Sequence, residues 1–225
     1  MNKVAEIFRE YGIKIDDSKT EKLDSYIDLL ISAPINLTSL RDKEYAIHKH
    51  IVDIVFPVKM LTGKLLDVGT GGGIPGLILA ILFPINATLV ESVRKKVMWL
   101  EKILNMLNIG NVNLLCSRAE KLPADKKESF DIVTARAVSE LRILLELCAP
   151  FCKVGGRLFF YKGPNWKQEY DAAHNAMKTL NVETIEIVSY TLKTGEKRVL
   201  LQFQKVGRTP DNYPRETKKI LKNPL

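Results

Sequence analysis

At 225 residues with 46% apolar content, the chain is long enough for one α/β domain with an appendage and too short for two full domains. Its formal net charge of +8 favours a polyanionic partner such as nucleic acid. Cys116, Cys148 and Cys152 form no C-x-x-C pair and read as buried thiols of a reducing cytosol, so neither a disulfide framework nor a zinc site is indicated; no run approaches a membrane span, and a soluble cytoplasmic protein is expected.

Residues 1–60 are predicted to be helical. Ser18-Lys19-Thr20-Glu21 has capping-box spacing, after which Leu23, Tyr26, Ile27, Leu30 and Ile31 recur on one face until Pro34 stops the run. A polar turn, Asn36-Leu37-Thr38-Ser39, leads to another helix from about Asp42, whose stripe is Ile47, Ile51, Ile54, Val55 and Val58. Together these residues make an N-terminal helical cap. From Lys64 short β-rich runs alternate with helices, the signature of a parallel sheet built from βαβ units. Strands are expected at 64–68, 87–90, 112–116, 130–134 and 157–161, with the clearest helix at 93–108 and Gly110 near its end. Cys148 and Cys152 fall on a helix before the fifth strand. Two last β-rich runs, 182–192 and 198–204, are separated by only five residues, so the final strand should be antiparallel. The sheet domain covers 61–205. A basic, partly extended tail over 206–225 follows Lys205 and carries Arg208, Arg215, Lys218, Lys219 and Lys222.

One stretch organises the sheet domain. The apolar run Leu65-Leu66-Asp67-Val68 meets Gly69, Gly71, Gly72, Gly73 and Gly76, and Pro75 opens a new apolar run, which reads as strand, tight turn and helix start. The spacing Gly71-x-Gly73-x-x-Gly76 suits a nucleotide, and Glu91 at the end of the second strand is placed to accept both ribose hydroxyls. That pair serves NAD and S-adenosylmethionine equally. Three features favour S-adenosylmethionine. Asp67-x-Gly69-x-Gly71-x-Gly73 resembles methyltransferase motif I, Arg118-Ala119-Glu120 follows the third strand where methyltransferases bracket adenine, and the closing hairpin resembles the class I methyltransferase fold. The expected architecture is thus α/β: a Rossmann-like, mostly parallel seven-stranded sheet with a terminal antiparallel hairpin and the N-terminal helical cap. Glu91 as a helix N-terminal carboxylate and Glu120 as a loop acid are the plain alternatives.

The atom methylated is constrained by what the chain lacks. Thr134-Ala135-Arg136-Ala137 stands where exocyclic-amine methyltransferases carry Asn/Asp-Pro-Pro-Tyr, and neither Cys148 nor Cys152 has an activating neighbour for covalent attack on a pyrimidine. A heteroaromatic nitrogen such as guanine N7 needs no deprotonation, so positioning alone could supply up to roughly 7–11 kcal/mol. Arg136 is the candidate at the reacting end, orienting the cofactor, a phosphate or guanine O6.

With these residues in place the chain resembles the bacterial small-subunit ribosomal RNA guanine-N7 methyltransferase family, also called glucose-inhibited division protein B. The likeness rests on Asn36-Leu37-Thr38, His50 with Asp53, Asp67 to Gly76, Ala119-Glu120, Arg136-Ala137, Lys162-Gly163, Gly195-Glu196-x-Arg198 and Thr209-Pro210-x-x-Tyr213-Pro214-Arg215. It implies methyl transfer from S-adenosylmethionine to N7 of a guanine in the decoding-region loop of small-subunit rRNA. Cofactor positions carry over to Gly69, Ile74, Ala119, Glu120 and Arg136, beside Asp67, Gly71, Gly73 and Glu91. Lys162, Arg198 and Arg215 are the candidates for RNA phosphates, and a monomer is expected. Two departures are the family's His-x-x-Asp-Ser, here ending in Ile54, and the Gly-x-Pro after the tail's Pro-Arg, here Thr217-Lys218-Lys219. His50 beside its apolar stripe and Asn36 in its turn could be structural or functional. A methyltransferase acting on a protein or small molecule, and a non-catalytic RNA-binding module, are the competing readings.

Overall fold

Seven short β-rich runs form the strands β1 (Gly63–Val68), β2 (Ile85–Glu91), β3 (Val112–Cys116), β4 (Phe130–Arg136), β5 (Cys152–Lys162), β6 (Val182–Thr191) and β7 (Lys197–Lys205). In the computed structural model, which describes residues 2–225, they make one sheet in the order β3-β2-β1-β4-β5-β7-β6. Neighbours are parallel except β7, which pairs antiparallel with both β5 and β6. The sheet reverses beside β1, between β2 and β4, so ligands belong above the carboxyl ends of these strands.

Alternation along the strands builds two cores. Leu65, Leu89, Ile132, Phe159 and Leu200 face one side, while Leu66, Val90, Val133, Phe160 and Leu201 face the other. The first side is covered by α1 (Lys3–Glu10), α2 (Asp17–Ile31), α5 (Gly76–Leu82), α6 (Arg94–Met106) and a helical stretch in which α3 (Lys43–Ala46) continues through a π-helical segment (Ile47–Val52) into α4 (Asp53–Val55). The second is covered by α7 (Leu141–Cys148), α9 (His174–Thr179) and Ile220 of α10 (Thr217–Lys222), with α8 (Trp166–Asp171) packed at the edge. The N-terminal cap therefore shares a core with the sheet. Among the described residues no helix is long and apolar enough to cross a membrane.

Local details depart from the sequence reading for physical reasons. The N-cap of α2 is Asp16, not Ser18, because the Asp16 carboxylate reaches the Lys19 amide at 2.9 Å while Thr20 bonds the Asp17 carbonyl. Helix α6 ends at Met106, and Asn108 just beyond it, with φ 51°, takes the left-handed turn expected near Gly110. Cys152 opens β5 instead of lying on a helix, and Gly155 (φ 82°) lets the chain bulge so that Phe130 pairs with Cys152 but Ile132 with Arg157. Cys116 is exposed rather than buried, since β3 is an edge strand.

Candidate active site

The glycine turn is held by one carboxylate. Asp67 is fully buried at the end of β1, and its Oδ2 accepts from Thr70 Oγ1 at 2.6 Å and from the Gly76 amide at 2.8 Å, bonding both ends of the turn. Its Oδ1 is buried without a partner, and burial raises the carboxyl to about 7. Asp67 thus shapes the turn from behind instead of lining the cavity above it. Two other expected cofactor residues also pack from behind: a side chain on Gly73 would crowd Leu77 and Leu100, and the Ile74 side chain joins the core. Gly69 and Gly71, at φ 72° and 59°, present bare backbone, and a Cβ on Gly69 would come within 2.7 Å of Val138. Tyr26 of the cap reaches over α5 to donate to the Gly72 carbonyl at 3.0 Å, so the helical cap braces the turn.

Beyond the turn lies a cavity of about 260 Å³. Its walls include Gly69, Glu91, Ala119 and Glu120, which the structure brings together as expected, with Val90, Val138, Ile143 and Leu147 as apolar lining. The Glu91 carboxylate accepts the Gly71 amide at 3.1 Å and the Val93 amide at 2.8 Å, so it tethers the turn and the start of α6 at once. An apolar slot with two carboxylates at its rim fits a flat base and a ribose diol. The residues present therefore suit an adenosyl cofactor.

A second cavity, of about 290 Å³, adjoins the first and shares Ser139 with it. Arg136, Lys162 and Arg198 line it together with Asp53, Ala137 and Glu169. Ala137, at φ 57°, turns the chain sharply between the two spaces. Arg136 reaches from β4 to the π-helical segment: its Nη2 donates to the Lys49 carbonyl at 2.7 Å and lies 3.0 Å from Asp53 Oδ2, while Nη1 lies 3.4 Å from His50 Nδ1. Asp53, 1% exposed, also takes the Tyr190 hydroxyl at 2.9 Å on Oδ1, with Arg198 Nε 3.6 Å away. One buried acid thus gathers two cations and a phenol. Burial and the Arg136 charge hold His50 at about 3, hence neutral. With Nδ1 accepting from Arg136, Nε2 must carry the proton and donate to Thr38 Oγ1 at 2.7 Å. Thr38 joins the site through this histidine; Asn36 lies exposed on the preceding turn.

Lys162 and Arg215 are less free than their charge suggests. The Lys162 ammonium donates to the Ser139 carbonyl at 2.8 Å and to Glu169 at 2.6 Å. Arg215 sits outside this cavity, its backbone and guanidinium all bonded to Glu146 of α7 at 2.5–3.1 Å. A charge so neutralised is a poor phosphate ligand, and it anchors the tail. Lys205 is likewise buried in β7, beside Glu128, instead of beginning a solvated basic run. The pairing of Arg136 with Lys49 and Asp53, and of Tyr190 with Asp53, has no composition signal, because it depends on a π-helical turn. Glu146 did leave one, as the lone acid in the apolar run Leu141–Cys148.

A family model described as GidB, rRNA small subunit methyltransferase G, matches residues 19–200. The chain is 46% identical to Ribosomal RNA small subunit methyltransferase G of Thermotoga sp. (strain RQ2), covering 100% of both chains. It is 38% identical to the protein of that name from Clostridium beijerinckii, covering 100% of this chain and 97% of that one. Among solved structures, a 16S rRNA (adenine(1408)-N(1))-methyltransferase from Catenulisporales acidiphilia with cosubstrate SAM superposes with TM-score 0.52 at 18% identity, over 65% of this chain and 86% of that one. A geranyl diphosphate methyltransferase in complex with GPP and sinefungin gives TM-score 0.51 at 14% identity, over 75% and 81% of the two chains. The structural likenesses establish the class I methyltransferase fold.

Proposed function

The chain belongs to the rRNA small subunit methyltransferase G family, and on that premise we propose that it methylates N7 of a guanine in small-subunit rRNA by direct in-line transfer. That it is an S-adenosylmethionine-dependent methyltransferase acting on small-subunit (16S) rRNA follows from the family; the atom and the residues are the further step. The observation that supports them is the junction of the two cavities, one acidic and nucleoside-shaped, the other lined by Arg136, Lys162 and Arg198, with Ser139 common to both.

When bound, S-adenosylmethionine supplies an electrophilic methyl group. Gly69, Glu91, Ala119 and Glu120 hold its adenosine end, and the turn braced by Asp67 keeps that end still. Guanine N7 has a free lone pair, so the protein needs no base; behind Arg136 both imidazole nitrogens of His50 are engaged and the ring is held at about 3, and the Asp53 and Glu169 carboxylates of the second cavity are paired with Arg136 and Lys162. Covalent attack by cysteine is unsupported as well, since burial pushes the Cys152 thiol up to about 12 and Cys148 well above its usual range. What remains is positioning. Arg136 and Arg198, fixed by Asp53, present donors for guanine O6 or a phosphate, and Asp53 and Glu169 offset their charge as the base becomes cationic.

The test is transfer of labelled methyl to small subunits lacking the modification, alongside total protein and small-molecule pools. Label confined to the small-subunit rRNA is the expected result. No label in that RNA, although S-adenosylhomocysteine binds, would overturn the reading.

A further inference from the structure

The C-terminal tail reads from its charge as an RNA contact, but its course through the structure points elsewhere. From β7 it is pinned across the amino ends of β4 and β6: the Asn181 side chain donates to the Arg208 carbonyl at 2.7 Å, the Thr209 amide to Glu128 at 3.1 Å and Lys127 to the Asp211 carbonyl at 3.0 Å. It then crosses α7, where Arg215 closes three bonds on the fully buried Glu146. Glu146 lies between Ile143 and Leu147, which form the apolar wall of the adenosine cavity. The tail is thus clamped to the helix that makes one side of that cavity, and one turn later Ile220 is buried in the same core.

Past this clamp the chain reaches the cavity itself. Thr217 and Leu221 are among its lining residues, and Thr217 Oγ1 donates to Glu120 Oε1. Among the described residues Glu120 Oε2 takes no hydrogen bond of its own. Leu221, 59% exposed beside Lys218, Lys219 and Lys222, is an apolar side chain at the cavity edge with nothing yet covering it.

We propose that the C-terminal strap forms the outer wall of the adenosine subsite, with Leu221 against the base, Thr217 positioning Glu120, and the Arg215–Glu146 pair holding the strap in place. This rests on the reading that the cavity takes an adenosyl cofactor. Because releasing the strap would leave the Glu146 charge buried and unpaired, the wall is permanent and not a lid that opens at each turnover.

Calorimetric titration of the full chain with S-adenosylhomocysteine and with 5′-methylthioadenosine, which lacks the amino-acid end, tests this. Leu221→Ala and Thr217→Val should each weaken both ligands by the same factor, about three- to tenfold. Lys222→Ala on the same helix should leave both affinities alone. Affinity of the cofactor-free variants for small-subunit rRNA, and its salt dependence, should match the parent. Adenosyl affinities within twofold of the parent in both variants would overturn the proposal. So would a loss of RNA affinity with unchanged cofactor binding, which would make the strap an RNA surface. If the parent itself binds neither ligand, the cofactor reading falls and takes the strap with it. Leu221 is exposed, so its truncation does not threaten folding.

Discussion

Replacing Arg136 by alanine should unsettle the fold as well as the chemistry. The guanidinium is 14% exposed and its partner Asp53 only 2%, at 3.0 Å, with a further bond to the Lys49 carbonyl at 2.7 Å. Removing one member of such a buried pair costs about 3–5 kcal/mol, because the remaining charge stays desolvated without its partner. Arg198, at 3.6 Å from the other Asp53 oxygen, offers only partial compensation. For a chain of this size that cost lowers the melting temperature by about 6–20 °C. The loss should shrink in the double variant Arg136→Ala/Asp53→Asn, which removes both charges, and lessen in Arg136→Lys, which keeps the cation but not the fork. Thermal melts of the four proteins beside single-turnover methyl transfer give the answer. Arg136→Lys should remain folded yet transfer methyl at least about tenfold more slowly, since bidentate orientation is lost. If Arg136→Ala melts within about 1 kcal/mol of the parent, the buried-pair reasoning is refuted.

Arg198→Ala should weaken RNA binding and lower its salt slope by about 0.7–0.9 while leaving S-adenosylhomocysteine affinity unchanged, as filter binding across a salt series would show. Glu91→Gln should do the opposite, reducing S-adenosylhomocysteine affinity by about tenfold or more through the lost charged bond to a ribose hydroxyl. Acid stability should carry two signatures. His50 is depressed to about 3, so its contribution is complete above its unfolded value of 6.5 and is lost as pH falls toward 3; the stability gap between parent and His50→Gln should narrow over that window in pH-dependent melts. For Glu196, burial opposes ionisation, but hydrogen bonds from Thr194, Lys49 and Tyr45 outweigh it and hold the carboxyl at about 2, so Glu196→Gln should flatten the stability loss between 4.5 and 2. Replacing Cys148 and Cys152 together by alanine should leave methyl transfer intact.

The sheet and its glycine turn were legible because local chemistry decides them. Short β-rich runs alternating with helices mark the strands, the glycines mark the turn, and a five-residue gap marks the hairpin. Glu91 and Glu120 could be placed from strand ends alone, since open parallel sheets expose those ends together. What could not be read depends on long-range partners. The sequence shows that Arg215 is basic, but only the fold brings Glu146 against it, from 69 positions away. Asp67 sits where a ligand contact is expected, yet the Gly76 amide turns it inward. The link from Arg136 to Lys49, His50 and Asp53 needs a π-helical segment that no residue pattern announces.

The central claim is direct methylation of guanine N7 beside Arg136. Nucleoside analysis of small-subunit rRNA after a single turnover with labelled S-adenosylmethionine measures it most directly. The account predicts that all label elutes as 7-methylguanosine and that none forms when the target guanosine is replaced by 7-deazaguanosine. Label in another methylated nucleoside, or transfer that survives the replacement, would contradict it.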